Sequence, residues 1–285
     1  MERRPDGELR IAFADLGWET ASLRNLSLLS LLVWALAMVG LFFVSLVLSS
    51  VALRPAERAW QQQRQFVADA SHELKTPLTV ILANTGLVLS HPEDTVAAQS
   101  KWLEYTHDEA EQMKGLVDDL LFLAKSDAAR QPAARAETAI SEVALGCLLP
   151  FESVAFESGV ALEHRITLGL SLRGDEGQLR RLVMILLDNA VKYAGPGGTV
   201  TLTLERHQER LRLAVHNTGE PIPPEHLPHL FERFYRADAA RNRSGGGYGL
   251  GLAIARSIVE GHHGRLTVTS TAAAGTTFTA LFPRR

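Results

Sequence analysis

The chain has 285 residues, 46% hydrophobic and 21% charged, and its 29 Lys and Arg against 32 Asp and Glu leave a net charge of −3. That length allows one or two domains with real cores, and the apolar content is ordinary for a globular protein. The charge balance excludes bulk nucleic-acid binding. The single cysteine, Cys147, excludes an internal disulfide and lies in an apolar helical pattern that assigns it to packing.

Residues 1–25 are mixed and too short for a domain, and they are expected to form a short extracytoplasmic segment. Within them Leu9 to Asp15 (LRIAFAD) fits one strand. Residues 26–53 carry no charge. A run of this length exceeds the ~20 residues that cross a bilayer, so it predicts a transmembrane helix. Arg54, Arg58 and Arg64 follow it and place the C-terminal side in the cytoplasm. Residues 54–65 are polar and helix-prone after Pro55, and they predict a signalling-helix linker running directly into the next element.

That element contains Phe66 to Ile81, FVADASHELKTPLTVI. Val67, Ala70, Leu74, Leu78 and Ile81 recur at three and four and form one apolar stripe. His72 and Thr76 fall nearly opposite it, one turn apart, and Glu73 points between the faces. A carboxylate beside an imidazole can take the proton from one ring nitrogen and leave the other free to attack. Pro77 removes a helical N–H and permits a bend. The helix is expected to end near Ser90, broken by His91-Pro92-Glu93-Asp94. A second helix follows over about 101–127, with a heptad-like seam of Leu103, Thr106, Ala110, Met113, Val117, Leu120 and Ala124. Two antiparallel helices cannot bury two such stripes alone. Residues 66–127 therefore predict a homodimer built as a four-helix bundle. Residues 128–139, small and polar around Pro132, read as a hinge.

From residue 140 the pattern is mixed α and β. A helix is expected over 141–157 with an interruption at Pro150, and short strands over 161–167 and 170–173. Asp175 with Gln178 forms a capping box that opens a helix to Tyr193. Strands follow over 199–206 and 210–216. A helix is expected over 224–234, then a glycine-rich loop, a helix over 250–260, and strands near 265–270 and 276–282. His226, His229, His262 and His263 lie on helix ends or turns without metal-ligand spacing and read as surface residues.

No phosphate-loop pattern G-x-x-x-x-G-K-[ST] occurs, and Gly245 to Leu252 (GGGYGLGL) lacks the dinucleotide spacing. Four stretches in order carry the signal: Leu186 to Tyr193 (LLDNAVKY), Asn217 to Ile222 (NTGEPI), Leu230 to Arg236 (LFERFYR) and Gly247 to Ile254 (GYGLGLAI). Behind the histidine stretch they resemble the N, G1, F and G2 boxes of bacterial two-component sensor histidine kinases, with Gly275-Thr276-Thr277-Phe278 similar to the family's last small motif. The resemblance covers roughly residues 55–284.

The resemblance implies a multidomain membrane protein of one transmembrane helix, a helical hairpin in a dimeric four-helix bundle, and an α/β sandwich of the Bergerat type over residues 140–285. It implies a kinase at a bacterial cell membrane, its catalytic part cytoplasmic. Such a kinase takes the γ-phosphate of ATP onto His72 with Glu73 as base, then passes it to an aspartate of a response-regulator receiver domain. Thr76, three residues after Glu73, implies a phosphatase activity toward that regulator. ATP and Mg²⁺ are the implied cofactors. Asn189 offers an amide oxygen to the metal and Lys192 a cation to phosphate. Tyr193, Asn217, Gly219, Gly247, Gly249, Leu250, Gly251 and Thr276 complete the expected ATP site. Arg241 and Arg243 belong to an expected lid. Asn217 stands where the family usually has Asp, and Pro221 replaces a glycine. Ile185 stands where type II topoisomerases and mismatch-repair ATPases, which share the nucleotide fold, use a glutamate to activate water. Isoleucine cannot act as a base, so the nucleophile must come from elsewhere. The departures motivate an alternative, a non-catalytic membrane scaffold that binds ATP weakly and docks a regulator.

Overall fold

The computed structural model describes residues 2–3, 9–10, 17–128, 136–237 and 247–283. The chain divides into two compact units, Met1–Gln65 and Phe66–Arg285.

In the first unit β1 (Glu2–Arg3) pairs antiparallel with β2 (Leu9–Arg10). β2 is the start of the strand expected from Leu9; residues 11–16 lie outside the described residues. Helix α1 (Gly17–Ser90) begins in this unit. Its stretch Ser22–Ser49 has a mean hydropathy of 2.7 and is long and apolar enough to cross a membrane. The hydroxyls of Ser27 and Ser30 donate to the carbonyls of Leu23 and Ser27, at 2.8 and 2.9 Å, so these polar groups are satisfied inside the helix.

The second unit takes the rest of α1 and α2 (Val96–Ala128), an antiparallel hairpin. α1 ends at Ser90 as the sequence predicts and continues through Pro77. α2 starts five residues before the expected 101, because Thr95 accepts the Ala98 N–H on its hydroxyl at 3.3 Å and caps it. Buried Gln99 donates to the carbonyls of Val88 and His91, at 3.3 and 2.6 Å, and closes the turn. The predicted stripes split in two. Ala70, Leu74 and Ile81 turn inward with buried Pro77, whereas Val67 and Leu78 stay exposed. On α2 the buried apolar residues are Leu116 and Leu123, one place before the predicted Val117 and Ala124, which are exposed along with Leu103 and Ala110. An apolar stripe wide enough for two neighbours has given one edge to its own hairpin.

The lobe that follows is a two-layer α/β sandwich. Its five-stranded sheet has the order β4-β6-β7-β9-β8, from β4 (Ala161–Ile166), β6 (Thr199–His207), β7 (Arg210–Asn217), β8 (Arg265–Thr271) and β9 (Gly275–Pro283). Only β4 and β6 are parallel. Strand alternation sends Val200, Leu202, Leu204, Phe278, Ala280 and Phe282 inward. They meet Leu179, Leu182, Val183, Leu186 and Ala190 of α4 (Glu176–Ala194), flanked by α3 (Ile140–Glu157) and α5 (Gly251–Gly261). Cys147 is buried in this core, as expected of a packing residue. A small second sheet pairs β3 (Ala136–Thr138), in residues read as hinge, with β5 (Leu172–Gly174).

Three expectations need correction. α3 passes through Pro150, because the carbonyl deprived of its partner belongs to exposed Gly146, where water reaches it. Residues 224–234 form a chain of turns, not a helix. Pro223, Pro224 and Pro228 remove N–H donors, and His226, His229 and Glu232 each donate to the residue three before. His262 is not a surface residue: it is buried, its Nδ1–H donates to the Ile258 carbonyl at 2.8 Å, and its Nε2 accepts the Asp175 N–H at 3.1 Å. Asp175 caps α4 by accepting the Gln178 N–H at 2.9 Å. The second half of the predicted capping box is thus supplied by His262 from the end of α5.

Removing that ring leaves the Asp175 N–H without its acceptor and a hole beside Gly174. His262→Ala should lower stability by about 1–3 kcal/mol, read as a lower urea midpoint at constant slope. An unchanged midpoint would contradict the assignment.

Candidate functional site

His72 and Thr76 are exposed on α1 and Glu73 is half-buried, as the periodicity predicts. Opposite them lies the turn segment 224–235. Asp69, His72 and Glu73 line a cleft of about 310 Å³ with Glu232, Arg233, Phe234 and Tyr235. The far wall is held firmly. The Arg233 guanidinium sits 4.9 Å over the Phe66 ring and forks onto both Asp127 carboxylate oxygens at 2.7 and 2.8 Å. The Phe234 ring lies 6.0 Å from that of Phe66. Phe234 adopts φ 60°, a costly value for a bulky residue, and from there its N–H donates to the Gly249 carbonyl at 3.0 Å. Tyr235 is fixed by its hydroxyl, 2.7 Å from His226 Nδ1, and by the His229 ring at 5.5 Å. Below the cleft Arg181 of α4 pairs with Asp119 and stacks 4.6 Å over Phe122. Burial pushes the Asp119 carboxyl up further than Arg181 pulls it down.

The predicted nucleotide residues gather at one end of the sheet. Asn217 and Thr276 are register partners in β7 and β9, and both are buried. Asn217 donates its amide Nδ2–H to the Thr218 carbonyl at 2.8 Å. The Thr276 hydroxyl lies 2.7 Å from Ser270 Oγ, which also accepts the Ile222 N–H at 2.9 Å. Gly219, at φ 131°, follows Asn217, and a Cβ there would strike the Tyr193 carbonyl oxygen at the end of α4. Gly249, at φ 72°, lies so close to the turn that a Cβ would come within 2.8 Å of the Phe234 backbone. A Cβ on Gly251 would stand 3.4 Å from Ile185, and one on Gly247 3.7 Å from Lys192 Nζ. The N, G1 and G2 stretches and the last motif therefore converge. Asn189 is half-buried on α4 between Ile185 and Lys192, Tyr193 is exposed, and Leu250 is buried where α5 begins. Arg241 and Arg243 lie outside the described residues.

Electrostatics give the site a cationic end. Burial lowers the Lys192 ammonium, Asp188 raises it, and repulsion from Arg236 lowers it again. Burial also raises the Tyr248 phenol, helped by Glu109 and Glu73 of the hairpin. Sequence reasoning missed Phe66, Arg233, Phe234 and Tyr248 as parts of the site. The F and G2 motifs contain the last three, but only the fold shows that they face α1. Among the described residues no group of three or more His, Cys, Asp or Glu is placed to hold a metal. The donor chemistry fits a nucleotide whose phosphates supply most of the metal's ligands, with one protein amide, better than a protein-held ion.

Residues 62–129 match the His Kinase A (phospho-acceptor) domain, and residues 174–285 match the histidine kinase-, DNA gyrase B- and HSP90-like ATPase. The chain belongs to the two-component sensor histidine kinases. It is 36% identical over 250 residues to the sensor histidine kinase RppB of Synechocystis, covering 85% of this chain and 53% of that protein. The chain spans about half the length of the curated relatives it matches. The crystal structure of ShkA in complex with AMPPNP aligns at a TM-score of 0.58 with 26% identity, over 77% of this chain and 45% of that one. The histidine kinase ThkA, in complex with the response regulator protein TrrA, aligns at 0.62 with 20% identity, over 82% of this chain and 65% of that one, which shows the shared fold.

Gly219→Ala forces a methyl against the Tyr193 carbonyl at a φ that alanine resists. It should weaken binding of a fluorescent ATP analogue at least ~10-fold, about 1.4 kcal/mol. Wild-type affinity in the variant would show that this close approach does not shape the base pocket.

Proposed function

We propose that the chain is an ATP-dependent protein-histidine kinase that phosphorylates His72 and passes the phosphoryl group to an aspartate of a response-regulator receiver domain. The observation that carries this reading is the cleft in which His72 and Glu73 face the 232–235 turn, whose Phe234 N–H donates to the carbonyl of Gly249 in the glycine-rich loop. One His72 ring nitrogen attacks the γ-phosphorus in line, the bond to the bridging oxygen breaks, and ADP leaves. Glu73 takes the proton from the other ring nitrogen. Lys192 and Arg236 hold the phosphates. Asn217 accepts the adenine amino group through its amide oxygen, a role consistent with its amide N–H being spent on Thr218. Asn189 is the residue that would hold Mg²⁺, which supplies charge neutralisation between phosphates. Ile185, packed beside Gly251, gives no base for activating water, so phosphate goes to the imidazole in preference to solvent.

The exposed stripes of Val67 and Leu78 on α1 and of Leu103, Ala110 and Val117 on α2 support pairing with a second copy into a four-helix bundle. Ser22–Ser49 supports a single membrane span, and Arg54, Arg58 and Arg64 support a cytoplasmic catalytic part at a bacterial cell membrane. Thr76, exposed one turn beyond His72, supports a second activity in which its hydroxyl orients water against the regulator's phosphoaspartate.

Incubation with labelled ATP and Mg²⁺ should give an acid-labile, base-stable phosphoprotein. His72→Gln should abolish the label, and Asn189→Ala should reduce it at least ~100-fold, as expected when the residue that would hold the charge-neutralising metal is lost. Unlabelled wild-type protein would defeat the reading and leave the scaffold alternative. Thr76→Ala should keep autophosphorylation and lose most regulator dephosphorylation. Equal phosphatase rates in variant and wild type would remove Thr76 from that role.

A further inference from the structure

Which histidine receives the phosphate, that of the same chain or that of a second copy, follows from how the lobe is seated. The inference rests on the kinase reading above. The wall of the His72 cleft is the chain's own turn, and it is fastened to the chain's own hairpin at both helices: at α1 through Phe66, and at α2 through Asp127. The same turn is continuous with the phosphate end of the site. Phe234 holds the Gly249 carbonyl, Tyr235 lines the cleft, and the charge of Arg236, next in sequence, bears on Lys192. A Cβ on Gly247 would lie 3.7 Å from that lysine, which brings the glycine-rich loop to the same place. Burial raises the Tyr248 phenol, and Glu109 and Glu73 of the same chain's hairpin raise it further. A path of adjoining groups thus leads from the phosphate contacts to the imidazole without leaving one chain.

We infer that phosphoryl transfer is intramolecular: the γ-phosphate held by a lobe goes to His72 of the same chain, across the cleft between α1 and the 232–235 turn. Transfer to a second copy would require the lobe to give up Phe66 and Asp127 and present the Lys192–Arg236 end to another α1. In the intramolecular case the second copy completes the bundle but contributes no reacting group.

The test uses the whole chain of residues 1–285 in mixed dimers captured through two different tags. One tagged chain is wild type and the other carries both His72→Gln and Asn189→Ala. Intramolecular transfer predicts that the wild-type chain takes label to about the same extent per chain as in the wild-type homodimer. Transfer between chains predicts label near zero, because the intact lobe faces no histidine and the intact histidine faces no competent lobe; that result overturns the inference. A second pairing, His72→Gln with Asn189→Ala, reverses the readout: no label supports the inference, and label on the Asn189→Ala chain overturns it. Wild-type homodimer that takes no label overturns the kinase reading itself, and the inference with it. A purely monomeric protein that labels at a rate independent of its concentration supports intramolecular transfer directly.

Discussion

The arrangement depends on one side chain bridging three elements. Arg233 stacks on Phe66 at the start of the second unit and forks onto Asp127 near the end of α2, while its neighbour Phe234 reaches the G2 loop through the Gly249 carbonyl. The energies involved are small. A partly exposed ion pair contributes about 0–1 kcal/mol and a cation over an aromatic face about 0.5–1 kcal/mol. Their sum is far below the stability of a folded lobe, about 5–15 kcal/mol. The seat is therefore strong enough to define the cleft and weak enough to be exchanged for another contact. The left-handed Phe234 adds strain to the seated state, since it serves a ring contact on one side and a backbone bond on the other.

The lobe itself is ordinary in its energetics. α4 lies over the middle of the sheet, and its buried leucines leave Ile185, Asn189 and Lys192 along the edge that meets the glycine-rich loop. The polar ends are satisfied by unusual partners: His262 accepts the Asp175 N–H, and Ser270 links Thr276 to the strand-end backbone at Ile222. The first bond fixes the start of α4, and the Ser270 bonds hold the ends of β8 and β9 beside Asn217, whose neighbour Gly219 packs against the far end of α4. Ile185 offers no base for activating water, which agrees with the proposed transfer to a group outside the lobe.

Much of this was legible in the sequence because it rests on local periodicity and on glycines at fixed offsets. The end of α1 at Ser90, the exposure of His72 and Thr76, the core face of α4 and the positions of the lobe's main strands along the chain follow from local sequence. What was not legible depends on partners far apart in the chain. His262 looked like a surface residue because its acceptor role requires Asp175, 87 residues away. The 224–234 segment, expected as a helix, is set in turns by Pro223, Pro224 and Pro228, whose missing donors decide the backbone. The hairpin's stripes were read as one face each, although a stripe wide enough for two neighbours is divided between them only in three dimensions. The fork of Arg233 on Asp127 spans 106 residues, and no local pattern encodes it.

The central claim is that a single imidazole, His72, is the chemical destination of the phosphate held by the lobe. Mass-spectrometric mapping of the protein after brief exposure to ATP and Mg²⁺, quenched and digested at alkaline pH, tests it most directly. The account predicts one added phosphate, confined to the peptide that carries His72 and Glu73. Phosphate at His91, His107 or any hydroxyl in comparable yield, or ADP formed with no phosphoprotein at all, would contradict it.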